Sequence, residues 1–75
     1  MTLEDAKAYM ISNPGVKFTC QEFHSDEYIM YDESIFSFVF EDGFLADRYW
    51  WTEALSWNCD WWIVNITTNT IIDFK

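Results

Sequence analysis

Apolar residues recur with a helical period at the start of the chain, then with a period of two, and later in short runs separated by polar turns. Leu3, Ala6 and Met10 have the spacing of one helix face, with Tyr9 at its margin. Thr2 followed by acidic residues is typical of a helix N-cap. The Asn-Pro-Gly sequence at residues 13–15 would end such a helix. The pattern therefore predicts a helix over residues 3–12.

After position 15, apolar and polar residues first alternate as they do in a half-buried strand, which predicts a strand over residues 16–22. Short apolar runs bounded by turn residues predict further strands over residues 28–31, 35–40, 61–64 and 71–74. In the third strand Phe36, Phe38 and Phe40 share one face, which we expect a helix to cover. Phe44 and Leu45 are interpreted as the start of a further strand.

Residues 46–57 have no clear period, although Thr52 is a suitable cap for a helical turn over residues 52–55. The fold class that follows is α+β: one N-terminal helix packed on a mainly antiparallel sheet of four to five strands. The 75 residues are enough for one small domain, residues 1–75.

Aromatic residues are abundant for so short a chain, with five Trp, four Tyr and seven Phe. A core of this size cannot enclose all of them, so we expect some to lie at a surface or a subunit interface, and the chain to form a homodimer. Trp61 and Trp62 illustrate the constraint, because adjacent residues of a strand point to opposite faces. One of the two is therefore expected in the core and the other outside it.

Charge is strongly one-sided, with a formal net charge of -9. Between residues 22 and 60, Arg48 is the single base among ten carboxylates. Such a surface repels itself, and it would also be repelled by nucleic acid and by anionic lipid. We therefore expect no direct nucleic-acid partner and no membrane partner. The charge instead favours a protein partner that carries a basic surface.

The predicted turns bring the acidic residues together at two ends of the sheet. Turns at residues 24–27 and 41–43 should share one end, because the turn at residues 32–34 lies between them. The predicted partner-binding residues are Asp26, Glu27, Glu41 and Asp42 at the first end, Asp32 and Glu33 at the other, and Tyr49 and Trp50 as apolar anchors. Alternate residues of a strand are about 7 Å apart, of the order of phosphate spacing, so the face would act as a nucleic-acid mimic. The alternatives are a solvated surface that only keeps the protein in solution, and a surface that binds cations.

Catalytic and metal chemistry find little support in the sequence. Cys20 and Cys59 are expected to be free thiols in a reducing cytoplasm, since no signal peptide precedes them. Neither has an adjacent base that would activate it. His24 with its acidic neighbours is interpreted as a surface histidine, not a metal ligand. We expect no enzyme activity, no metal and no cofactor.

Four segments resemble a known family. They are the helix Leu3-Glu4-Asp5-Ala6-x-x-Tyr9-Met10, the sequence Gly15-Val16-x-Phe18, the pair Tyr28-Ile29, and the closing Asp60-Trp61-Trp62-Ile63-Val64. This order is similar to that of the small phage and prophage family that includes the anti-Thoeris nucleotide sponges. The resemblance implies a phage or mobile-element protein that acts against a bacterial defence system.

The expected function is that of a phage-type counter-defence inhibitor, working in the host bacterial cytoplasm. It would bind a basic, nucleic-acid-handling surface of a host defence protein or nucleoprotein complex, as an anti-CRISPR inhibitor would. The alternative, which the resemblance implies, is a sponge that holds a signalling nucleotide at a subunit interface. Its ligand-binding residues would be Arg48, Trp51 and Trp57, with the aromatic rings stacked on the base.

Overall fold

The computed structural model describes residues 1–65 and 70–71. Its elements are α1 (Leu3–Ser12), β1 (Phe18–Cys20), β2 (Ile29–Asp32), β3 (Ser37–Phe40), α2 (Arg48–Leu55), β4 (Trp61–Asn65) and β5 (Thr70–Ile71). The predicted α+β class, with an N-terminal helix on an antiparallel sheet, is confirmed. Within the described ranges, every helix is too short or too polar to cross a membrane.

Helix α1 has the predicted bounds because its start and stop signals are local. The Thr2 hydroxyl oxygen accepts a hydrogen bond from the Asp5 amide at 3.1 Å, which satisfies one of the unpaired donors of the first turn. Leu3, Ala6 and Met10 are buried, as predicted. Tyr9 lies at the margin of this face, with its ring 5.7 Å from that of Phe18.

The sheet has the strand order β3-β2-β1-β4-β5, with antiparallel neighbours throughout. Strand β1 is central, so Phe18 lies opposite Ile29 on one side and Ile63 on the other. The predicted division of the tryptophan pair is confirmed, because Trp61 is in the core and Trp62 is half-buried on the other face. Of the last predicted strand, residues 72–74 lie outside the described residues.

Both helices cover the same face of the sheet. Their buried residues form one cluster with those of the strands: Leu3, Ala6, Met10, Phe18, Cys20, Ile29, Ala54 and Trp61. By strand alternation, the opposite face carries Thr19, Met30, Val39 and Trp62. The homodimer expected from the aromatic content stays a prediction that sedimentation equilibrium would test.

The start of β3 differs from the prediction. Phe36 was expected on the covered face, but it lies in the turn before the strand, with φ of 53° and 80% of its surface exposed. The turn closes through a hydrogen bond from the Ile35 amide to the Asp32 carbonyl. This closure places a bulky residue in the left-handed region, which the period-two pattern does not predict.

The segment after β3 contains the second correction. Phe44 and Leu45 do not begin a strand of their own: Leu45 makes an isolated antiparallel bridge to Val39. Two backbone hydrogen bonds of 2.9 Å hold this segment against β3, from Phe40 to Phe44 and from Ala46 to Phe38. The chain therefore folds back along β3 before the second helix begins.

Helix α2 is longer than the predicted turn and begins earlier. Its N-cap is Asp47, whose carboxylate accepts from the Trp50 amide at 2.9 Å. Thr52, which was expected to be the cap, lies inside the helix and donates its hydroxyl to the Arg48 carbonyl at 3.0 Å. The prediction of a single N-terminal helix was therefore incomplete, and α2 adds Ala54 to the buried core.

Candidate functional site

The loop before β2 and the turn after β3 lie side by side at one end of the sheet. The Tyr28 amide donates a hydrogen bond of 3.2 Å to a carboxylate oxygen of Glu41, which joins the two segments directly. Between them is a cavity of about 340 Å³. We call it the acidic-aromatic cavity, and its lining residues are Phe23, Glu27, Phe40, Glu41, Asp42, Phe44 and Trp50.

Three of the four acidic residues predicted at this end therefore line one cavity. They are Glu27, Glu41 and Asp42, while Asp26 is exposed and is not part of the lining. The lining includes no lysine or arginine, so the negative charge is not neutralised from within the cavity. A cation that approaches this end of the sheet meets carboxylates and aromatic rings together.

Aromatic rings form the floor of the cavity. The ring centroids of Phe40 and Trp50 are 5.0 Å apart, and those of Phe23 lie 6.3 Å from Phe40 and 6.2 Å from Trp50. Phe23 also packs edge-on to the buried Trp61 at 5.2 Å, which ties the floor to the core. Phe44 stands at the rim and is 72% exposed. The floor is therefore packed against the core, and the rim is accessible.

The three carboxylates are oriented by backbone donors. Glu27 accepts from the His24 amide at 2.5 Å and Asp42 accepts from the Phe44 amide at 3.0 Å, in addition to the Tyr28 bond to Glu41. Each bond uses one oxygen of a group that has roughly four acceptor positions. The carboxylates are thus held in place and retain capacity for an external donor.

The other predicted contact residues are placed elsewhere. Asp32 accepts from the Ser34 amide at 3.0 Å and from the Ser34 hydroxyl at 2.6 Å, so it stabilises the β2–β3 turn. Glu33 is exposed in the same turn. Tyr49 is 80% exposed in the first turn of α2. Trp50, expected to be an apolar anchor, is half-buried as part of the cavity floor.

Sequence reasoning identified Trp50 but missed the other aromatic residues of this site. Phe23, Phe40 and Phe44 line the cavity but were not among the predicted contact residues. A signal was present, since Phe40 directly precedes the Glu41-Asp42 pair and Phe44 follows it after one glycine. Aromatic residues that flank a paired acid in a hairpin turn indicate that charge and ring surface will meet at one place.

Within the described part of the chain, the three residues of the sponge alternative have different surroundings. Arg48 is exposed at the start of α2. Trp51 donates its indole N–H to the Ala46 carbonyl at 3.1 Å and packs on Phe38. Trp57 stacks against Trp61 with ring centroids 6.5 Å apart. Both tryptophans are thus engaged within the aromatic packing of the fold.

Two further cavities lie elsewhere on the surface. One, of about 370 Å³, is between the start of α1 and the end of α2, and Leu3, Leu55 and Asp60 are among its lining residues. The other, of about 420 Å³, is lined by residues that include Thr19, Gln21 and Trp62. Each has at most two acidic residues, so neither matches the concentration of charge in the acidic-aromatic cavity.

The basic side chains near the sheet already contact aromatic rings. The Lys7 ammonium lies 4.8 Å from the centroid of Trp51, and the Lys17 ammonium lies 5.4 Å from that of Tyr28. Such contacts stabilise a cation by electrostatic attraction to the ring face. Both lysines therefore show that this chain supports cation–π contacts.

Cys20 and Cys59 are free thiols that lie close together, as the pairing of β1 with β4 allows. Burial, together with a hydrogen bond to Cys59, raises the pKa of the Cys20 thiol to about 12. The described residues include no group of three or more His, Cys, Asp or Glu side chains that could hold a metal ion. Cys20 belongs to the buried core, and Cys59 packs against it.

The raised pKa of Cys20 predicts a loss of stability at high pH. Below the unfolded value of 9.0 both states keep the proton, so this stabilisation is fully present. As the pH rises from there toward about 12, the thiol ionises first in the unfolded chain, which favours unfolding. The free energy of unfolding, measured with urea at several pH values in this range, should fall more steeply with pH for the parent protein than for Cys20→Ala. Equal slopes would contradict the raised pKa of Cys20.

In comparisons with known proteins, no family model, no curated protein and no solved structure matches the chain. The fold and the cavity therefore define the class, a small α+β domain with a negatively charged, aromatic-floored recess at one end of its sheet.

Proposed function

We propose that this protein is a non-enzymatic inhibitor that binds a basic, nucleic-acid-handling surface of another protein through the acidic end of its sheet. The observation that carries the proposal is the convergence of Glu27, Glu41 and Asp42 on one cavity whose lining contains no base. A concentration of one charge sign raises the rate of encounter with an oppositely charged surface. Occupying that surface would block its normal ligand.

The position of the charge supports binding over mere solubility. Carboxylates that only solvate a surface have no need of an aromatic floor, whereas contact sites combine rings with charge at their rim. The exposed ring of Phe44 lies beside these carboxylates in the lining of the cavity. An apolar contact beside the carboxylates would add affinity that salt does not screen.

The resemblance to the phage family suggests the setting of this activity. In that setting the partner would be a host defence protein or nucleoprotein complex, and the protein would act as a counter-defence factor. The net charge of -9 is consistent with a nucleic-acid mimic, because a phosphate-binding surface is built to receive closely spaced negative charge.

Binding to a basic peptide tests the electrostatic part of the proposal. A fluorescently labelled hexalysine peptide should bind at about 0.1 M salt and lose most of its affinity at about 1 M, where the Debye length has fallen from ~10 Å to ~3 Å. The control is a hexaglutamine peptide with the same label. Fluorescence anisotropy measures both. No binding at low salt, or equal binding of the neutral peptide, would exclude the proposed function.

A further inference from the structure

The acidic-aromatic cavity has the size and lining of a recess for one side chain. Its volume of about 340 Å³ lies at the lower end of the range of about 300–1,000 Å³ that is usual for ligand sites. We propose that it receives the guanidinium group of a single arginine of the partner, an inference that rests on the proposed function. The charge and the shape of the lining specify this occupant.

Ring geometry favours a cation over a neutral group. The rings of Phe23, Phe40 and Trp50 are in contact with one another, with centroids no more than 6.3 Å apart, so a group that rests on this floor meets more than one ring. A cation within about 6 Å of a ring centroid is attracted by the negative charge of the ring face. The same chain already places the ammonium of Lys7 at 4.8 Å from Trp51.

The carboxylates favour arginine over lysine. Glu27, Glu41 and Asp42 are each fixed by a backbone hydrogen bond, so their remaining acceptor positions have set directions. A guanidinium presents five donors in a planar fork, which can bond two carboxylates while its face stacks on a ring. An ammonium lacks that plane and is more strongly hydrated. Arginine therefore uses both parts of the lining at once.

Small probes test this inference separately from the overall charge. N-acetylarginine methylamide is titrated into ¹⁵N-labelled protein, with the citrulline derivative as a neutral analogue of the same shape and the lysine derivative as a cation of different shape. We expect saturable shifts of the Tyr28, Gly43 and Phe44 amides and of the Trp50 indole with the arginine probe. The citrulline probe should leave them unchanged, and the lysine probe should bind more weakly.

Variants locate the binding within the cavity. Phe44→Ala removes an exposed ring at the rim, and Glu41→Gln removes one charge while keeping an acceptor for the Tyr28 amide. Each should weaken arginine binding by about fivefold. The matched controls are Leu45→Ala, an exposed neighbour, and Glu33→Gln, an acidic residue in the β2–β3 turn, and both should bind as the parent does. The same spectra confirm that every variant is folded.

The outcomes separate this inference from the proposed function. The arginine pocket would be overturned if the arginine probe caused no shifts, or caused them only around Asp32 and Glu33. Equal shifts with the citrulline or the lysine probe would also overturn it. Salt-dependent binding of hexalysine would then still support the proposed function. Conversely, an arginine-specific response with no hexalysine binding would retain the pocket and exclude the broader electrostatic proposal.

Discussion

Phe18→Ala is expected to lower the free energy of unfolding by about 3–5 kcal/mol, the usual cost of deleting a fully buried phenylalanine ring. Phe18 is 0% exposed on the central strand, between Ile29 and Ile63, with the ring of Tyr9 against it. The free energy of unfolding of a single domain is only about 5–15 kcal/mol, so this variant should lose a large part of its stability. Urea unfolding followed by tryptophan fluorescence measures the change.

The same substitution at an exposed site provides the control. Phe44 is 72% exposed, and Phe44→Ala should change the free energy of unfolding by no more than about 0.5 kcal/mol. A comparable loss in the two variants would mean that the ring of Phe44 is buried in solution. A small loss for Phe18→Ala would contradict the core described above.

Charge reversal at the acidic end should remove binding of the hexalysine peptide. In the variant Glu41→Lys/Asp42→Lys, two positive side chains replace two carboxylates of the cavity, so the approaching peptide is repelled where it was attracted. We expect affinity to fall at least about tenfold, which corresponds to ~1.4 kcal/mol. Fluorescence anisotropy at low salt measures the loss.

The matched control carries the same change of charge at other exposed positions. Glu33→Lys/Glu53→Lys replaces two acids by two bases, as the test variant does, but neither residue lines the cavity. It should retain most of the affinity. Equal losses in both variants would show that binding follows net charge and not the acidic end. A lysine side chain cannot accept the hydrogen bond from the Tyr28 amide. Glu41→Gln/Asp42→Asn therefore serves as a milder variant that keeps an acceptor for the amides of Tyr28 and Phe44.

Local signals explain which elements the sequence predicts well. Helix α1 has its cap, its buried stripe and its stop within a few residues of one another, so its bounds follow from the chain alone. The alternation of the strands also predicts that Trp61 and Trp62 take opposite faces. The shared end of the two acidic turns follows because a hairpin reverses the chain, and the Tyr28 bond to Glu41 confirms it.

Elements that depend on tertiary contacts are not predictable in this way. Helix α2 has aromatic residues at consecutive positions, Trp50 and Trp51, which obscure its period until the packing of each ring is known. The exposed position of Phe36 follows from closure of a turn, not from its polarity. The cavity floor requires Phe23 and Trp50 to meet from distant segments, and no local pattern specifies that contact.

The short segment that folds back along β3 has a consequence for aggregation. An outer strand of a sheet exposes unpaired backbone donors and acceptors, which readily pair with another chain. Here the Phe44 carbonyl accepts from Phe40 and the Ala46 amide donates to Phe38, so these groups of β3 are already satisfied. A chain that is 51% hydrophobic is thereby protected against edge-to-edge polymerisation through these groups of β3.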